Sequence, residues 1–258
     1  MVQADPAHRK VSVFPERETV RDRGYQDRKL RACGVDPARY GDLAETGLFG
    51  QDCFKQMTAA GQLLDGMVHM GQRFILHAPV ALDELLSQFG WIESNVEHPR
   101  GRRIVQKFEF RRSSGELAVS AEMYRLKPDR SKMGVRCGGG AAREDPREGL
   151  SQLETKAMCP EAVVAFSEDV GNLIHFEPSF AARYGYRAPI SQGIQTMIWM
   201  MGALALSSPP RRFDVTARFA RPVFWDETVE LWGGDGLYRV LNRGGKPAVE
   251  LRVHDVEY

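Results

Sequence analysis

Apolar and polar residues alternate with a period of two along four stretches of the chain, which predicts strands. Ile104, Gln106, Phe108 and Phe110 interleave with Val105, Lys107, Glu109 and Arg111. Val119, Ala121 and Met123 interleave with Ser120, Glu122 and Tyr124. Val215, Ala217 and Phe219, then Val249, Leu251 and Val253, repeat the pattern near the C-terminus. One face buried and one face wet is the habit of antiparallel sheets. Asn242-Arg243-Gly244-Gly245 supplies a turn before the last strand. Two other segments, Phe54–Met70 and Ile190–Leu206, are mostly apolar and of helical length. In the second, Ile194, Met197, Ile198, Trp199, Met200, Met201 and Leu204 cover nearly every helical face. Such a helix is predicted to be enclosed by protein, not laid on a surface. A buried helix followed by antiparallel strands describes a sheet wrapped around a helix, and the order occurs twice. The expected class is α+β.

The two halves also share a motif. His77-Ala78-Pro79-Val80-Ala81-Leu82-Asp83-Glu84 and Ala220-Arg221-Pro222-Val223-Phe224-Trp225-Asp226-Glu227 both read P-V-x-x-D-E, each after one of the helical segments. The shared order of elements predicts a structural repeat. Between the halves, residues 128–150 carry Gly138–Gly140, two prolines and many charges, which marks an exposed connection. The expected organisation is an arm over 1–45, a first unit over 46–127, a linker over 128–150 and a second unit over 151–258.

Composition narrows the chemistry mainly by exclusion. With 35 Lys+Arg against 34 Asp+Glu in 258 residues, there is no global electrostatic reason to expect nucleic acid or a membrane surface. The longest apolar stretch falls short of the roughly 20 residues of a membrane span. The charged N-terminus lacks the apolar core of a secretory signal. Cys33, Cys53, Cys137 and Cys159 form no CxxC pair, so free thiols and a cytoplasmic location are expected. His69, His77 and the cysteines show no metal-ligand spacing, and no metal is expected. Nucleophile-elbow, P-loop and dinucleotide fingerprints are absent. The basic cluster His98, Arg100, Arg102 and Arg103 fits a solvated strand end better than a phosphate site.

Residues 166–201 are the most informative. Asn172-Leu173-Ile174-His175-Phe176-Glu177 is followed by Phe180-Ala181-Ala182, Tyr184-Gly185-Tyr186 and Pro189-Ile190-Ser191-Gln192-Gly193. This order resembles the signature D-x-N-P-[LI]-H-x-D, an alanine-rich helix, an aromatic, then [IV]-x-H-G of the MaoC-like (R)-specific enoyl-CoA hydratase and acyl-thioester dehydratase family. Ala217–Asp226 resembles that family's following strand entry. The likeness is close over about 60 residues of the second half; the first half resembles only the degenerate partner unit of two-domain hydratases.

The resemblance implies a double hot-dog fold, two tandem antiparallel sheets each wrapped around a long helix. It implies reversible addition of water to a 2-enoyl thioester of coenzyme A or an acyl carrier protein, with no cofactor. His175 falls on the catalytic histidine and Gly193 on the glycine whose backbone N–H stabilises the thioester oxygen as it gains charge. Asn172 falls on the signature asparagine. Ser191, Gln192 and Tyr186 fall where substrate contacts are expected. Two departures stand out. The family's aspartate aligns with Val170, one residue after Asp169, so Asp169 becomes the second acid/base candidate only if the loop bulges. Gln192 replaces the histidine before the glycine. Asp169 can equally be a loop acid, Asn172 a backbone-satisfying residue and Gly193 a packing residue. Tailoring chemistry on a thioester, such as isomerisation or conjugate-addition cyclisation, and a non-catalytic acyl-binding subunit therefore stay open. So does a homodimer.

Overall fold

Buried residues at alternate positions build long strands, and those strands join one sheet. The computed structural model describes residues 12–132, 145–205 and 208–258. The start of the arm and the centre of the linker, with Cys137 and Gly138–Gly140, lie outside the described residues. The elements run β1 (Ser12–Val13), β2 (Arg17–Val20), α1 (Arg23–Cys33), α2 (Phe49–Ala59), β3 (Val68–Leu76), β4 (Leu85–His98), β5 (Gly101–Arg111) and β6 (Leu117–Pro128). The second half follows with β7 (Ser151–Ala157), α3 (Pro160–Ser167), α4 (Pro178–Arg183), α5 (Gly193–Leu204), β8 (Arg212–Phe219), β9 (Thr228–Gly234), β10 (Leu237–Leu241) and β11 (Pro247–Glu257).

The sheet order is β1-β4-β5-β6-β3-β8-β11-β10-β9-β7, with β2 also paired to β4. The two sheets of the expected double hot-dog are thus continuous. They meet at an antiparallel seam between β3 and β8, where Phe74 lies opposite Val215 and Leu76 opposite Phe213. No alternation pattern announces which strands meet across a seam, because both neighbours of a central strand ask for the same buried face.

Each half wraps its sheet around a helix. Ile194, Met197, Ile198 and Met200 of α5 are fully buried, as its all-round apolar surface requires. The first helix differs from the expectation over 54–70. It begins earlier, because the Glu45 carboxylate accepts from the N–H groups of Gly47 and Leu48 and starts a 3-10 turn that runs into α2. It ends earlier because Gly61 and Gly66, both with φ near 73°, turn the chain back toward β3. The two P-V-x-x-D-E segments hold equivalent places. The Val80 carbonyl accepts from Ala44 N–H and the Val223 carbonyl from Ser191 N–H, both at 2.8 Å, just ahead of the helix of that half. Glu84 accepts from Ala81 N–H and Glu227 from Phe224 N–H, each at 2.9 Å. The arm is not peripheral: β2 extends the first half's sheet while α1 packs on α3 and α5 of the second.

Candidate active site

At the seam, beside the start of α5, lies a cavity of about 240 Å³. The first half contributes Phe54 from α2, His69 from β3 and Arg125 from β6; the second contributes Val170, Asn172, His175, Tyr186, the stretch Ile190–Gly193 and Phe219 of β8.

His175 borders this cavity at the end of a 3-10 turn, Leu173–His175. Asn172 caps that turn, its Oδ1 accepting from Ile174 N–H at 3.4 Å. The His175 Nδ1 lies 2.8 Å from the carbonyl oxygen of Ile190. A carbonyl can only accept, so Nδ1 carries the proton and Nε2 is the basic nitrogen. Burial disfavours the imidazolium and lowers its pKa to about 4, against a smaller opposing effect of the Ile190 carbonyl. At neutral pH the ring is therefore an uncharged base of fixed tautomer.

Gly193 opens α5, and the first-turn N–H groups of a helix have no partner within it, so they present donors and the positive end of the dipole to the same cavity. A Cβ at Gly193 would come within 2.9 Å of the Phe219 ring. Glycine is what lets the ring lie against the helix start. Gln192 is 3% exposed; its Oε1 accepts from Gln51 Nε2 at 3.1 Å, while its Nε2 has no partner among the described residues. Ser191 reaches the cavity, but its hydroxyl is engaged with Gln195 Oε1 at 2.8 Å. Tyr186 also borders it, and burial raises the pKa of its phenol. His175, Gly193, Asn172, Gln192, Ser191 and Tyr186 are thus brought to one cavity.

Asp169 is not. Its carboxylate takes Lys29 Nζ at 2.8 Å, Lys55 Nζ at 2.9 Å and the Tyr25 hydroxyl at 2.8 Å, and Val170 borders the cavity instead. The bulge that would have turned Asp169 inward is absent: residues Glu168–Val170 make a 3-10 turn closed by Gly171 at φ 74°. Lys29 also donates to the carbonyls of Ala165 and Phe166 at the end of α3, so the ion cluster ties the arm to the loop that carries His175. Burial pulls the Asp169 pKa up, but hydrogen bonds and charge from the two lysines bring it down to about 2. A carboxyl whose folded pKa lies below its unfolded one stabilises the fold above the unfolded value, and that contribution is lost as pH falls through the folded value. Asp169→Asn is expected to cost about 1–2 kcal/mol at neutral pH, discounted for partial exposure. Thermal unfolding of the two proteins should show a gap of a few degrees that closes as pH falls from about 4 toward 2.

Two cavity groups escaped the sequence reading. His69 and Arg125 face each other across β3 and β6, at a β-bulge that re-aims side chains. The His69 ring stands edge-on between Phe54 and Phe219, at centroid distances of 5.5 and 4.7 Å, and its buried Nε2 has no partner among the described residues. Burial, then the charge of Arg125, lowers its pKa to about 3. Arg125 is 3% exposed and burial lowers its pKa to about 10. The signal for it was present: extending the alternation Val119, Ala121, Met123 by one step places residue 125 on the apolar face. A charge there is out of pattern. No carboxylate among the described residues lines the cavity.

No helix among the described residues is long and apolar enough to cross a membrane. No protein-family model and no curated protein sequence matches the chain. Solved structures do. HtdX from Mycobacterium tuberculosis superposes with a TM-score of 0.76 at 18% identity, over 94% of this chain and 98% of that one. A MaoC-like dehydratase from Phytophthora capsici gives 0.72 at 16% identity, over 96% of this chain and 97% of that one. A second M. tuberculosis protein, described as having a double hot-dog fold, gives 0.65 at 13% identity, over 95% of each chain. At these identities the likeness speaks for architecture, and it agrees with the resemblance read from residues 166–226. The chain has the double hot-dog fold of the MaoC-like proteins.

Proposed function

We propose that the chain is a hydro-lyase that interconverts a 3-hydroxyacyl thioester and the 2-enoyl thioester, carried on coenzyme A or an acyl carrier protein. The observation that carries this reading is a neutral imidazole, its Nδ1 held by the Ile190 carbonyl, sharing one cavity with the N-terminus of α5. In the dehydration direction Nε2 of His175 takes the proton from the α-carbon, and the electron pair of that C–H bond moves onto the thioester oxygen. The Gly193 N–H and the helix dipole stabilise that oxygen. The enolate then collapses, the bond from the β-carbon to its hydroxyl breaks, and the imidazolium returns its proton to the departing oxygen as water. One ring serves both proton transfers, so proton and hydroxyl leave from the same face of the substrate. A carboxylate as second acid–base group is not needed on this route, which suits a cavity lined by none among the described residues. The size suits the acyl part of a thioester and not its nucleotide. Residues 46–127 would form the acyl end of the cleft and 151–258 the reacting end. Buried free Cys33 and Cys53 suit work in a reducing cytoplasm.

The test is to follow enoyl absorbance with 2-enoyl-CoA and 3-hydroxyacyl-CoA thioesters of several lengths. Absorbance should fall from the enoyl side and rise from the hydroxy side toward one equilibrium; no change from either side at any length overturns the reading. A second reading is favoured by the missing carboxylate. Moving a proton between the α- and γ-carbons needs one base and no activated water. Conversion of a 3-enoyl into a 2-enoyl thioester, without hydroxyacyl product, would select it.

A further inference from the structure

The first-half wall of the cavity carries a charge that no group among the described residues neutralises. Arg125 is 3% exposed, and no carboxylate among the described residues pairs with it. Its guanidinium contacts are neutral acceptors: the Leu63 carbonyl at 2.8 Å, Gln106 Oε1 at 3.5 Å and Met57 Sδ at 3.4 Å. A desolvated, unpaired cation is costly. Beside it in register, the buried His69 Nε2 has no partner among the described residues. A cavity meant for a plain alkyl chain would be expected to end in apolar side chains. The wall of this one also carries a guanidinium, a group whose N–H donors match a carboxylate in shape and charge.

We propose that the acyl group taken by this cavity carries a carboxylate, bound by Arg125, so that the substrate is a thioester of a dicarboxylic acid. The inference rests on the thioester reading above and names its substrate class. A carboxylate docked there turns a buried lone charge into a pair, whereas a methyl end leaves the guanidinium desolvated and unmatched. The discrimination is therefore two-sided. Arg221 also borders the cavity, but it is part-exposed and its guanidinium is bound to the Pro247 carbonyl.

The experiment measures equilibrium binding of saturated, unreactive thioesters of matched length: succinyl-, glutaryl- and adipoyl-CoA against butyryl-, valeryl- and hexanoyl-CoA. At the best-bound length the carboxylated member should bind about 10²-fold tighter to the wild type. Arg125→Met should erase that preference and leave the affinity for the methyl-ended member unchanged or higher. Equal or weaker binding of the carboxylated members to the wild type overturns the proposal, and so does loss of the preference in Arg221→Gln with retention in Arg125→Met. Because these ligands do not react, the outcomes separate from the hydro-lyase test. A carboxylate preference without turnover of any enoyl thioester keeps this inference and rejects the chemistry. Turnover of methyl-ended enoyl thioesters with no carboxylate preference does the reverse. Binding of no thioester at all rejects both.

Discussion

His175→Ala should lower kcat/KM by about 10²–10⁴-fold toward whichever thioester the wild type converts, the range expected for removing a positioned acid-base group. The loss should fall mainly on kcat, because in the proposed reaction the ring's work is proton transfer. The pH profile of the wild type carries the same assignment. Nε2 is active only when unprotonated, and burial holds the His175 pKa near 4. The acid limb of kcat/KM should therefore lie near pH 4, well below the usual histidine value of about 6.5. Stability follows the same sign. Between about pH 6.5 and 4 the unfolded chain binds a proton that the folded ring refuses, so the wild type loses stability as pH falls through that window. His175→Ala should lose less over the same window when thermal unfolding is followed against pH. An acid limb that stays near 6.5, or turnover unchanged in the variant, would remove His175 from the chemistry.

The parts of this molecule that follow a local period were legible in the sequence. The alternation at 104–111 and 119–124 lies within β5 and β6, and the all-round apolar run after Gly193 is the enclosed helix α5. The repeated P-V-x-x-D-E was legible because each glutamate bonds a backbone N–H only three residues away. What depends on residues far apart in the chain was not. Asp169 sits one residue from the position the chemistry needs, and its fate is decided by Lys29 and Lys55, more than 100 residues earlier, which no loop motif contains. The segment 54–70 reads as helix by hydrophobicity, yet its glycines and the capping carboxylate of Glu45 move the helix by several residues. Arg125 was readable as a breach of its own strand's alternation. What it faces was not, since His69 meets it only through the β3–β6 pairing.

The role of Gly193 separates into packing and electrostatics by a pair of double variants, and this is the second large effect expected. Gly193→Ala alone should impair turnover, but ambiguously, because the new Cβ would sit 2.9 Å from the Phe219 ring and push the helix start or the ring aside. Phe219→Ala removes that obstacle. On this background, Gly193→Ala retains the backbone N–H and should keep activity close to that of Phe219→Ala. Gly193→Pro removes the N–H. It should not break α5, because proline is accepted at the first helical position. The residue before it, Gln192, already has the extended φ −61° and ψ 140° that a following proline demands. If the thioester oxygen is stabilised at this amide, the proline variant should fall about 10²–10³-fold below the alanine variant in kcat, with KM little changed, as for removal of one preorganised donor. Equal rates would leave Gly193 as a packing residue and move the oxyanion site elsewhere in the cavity, with the next first-turn N–H, of Ile194, and Gln192 Nε2, which has no partner among the described residues, as the adjacent donors.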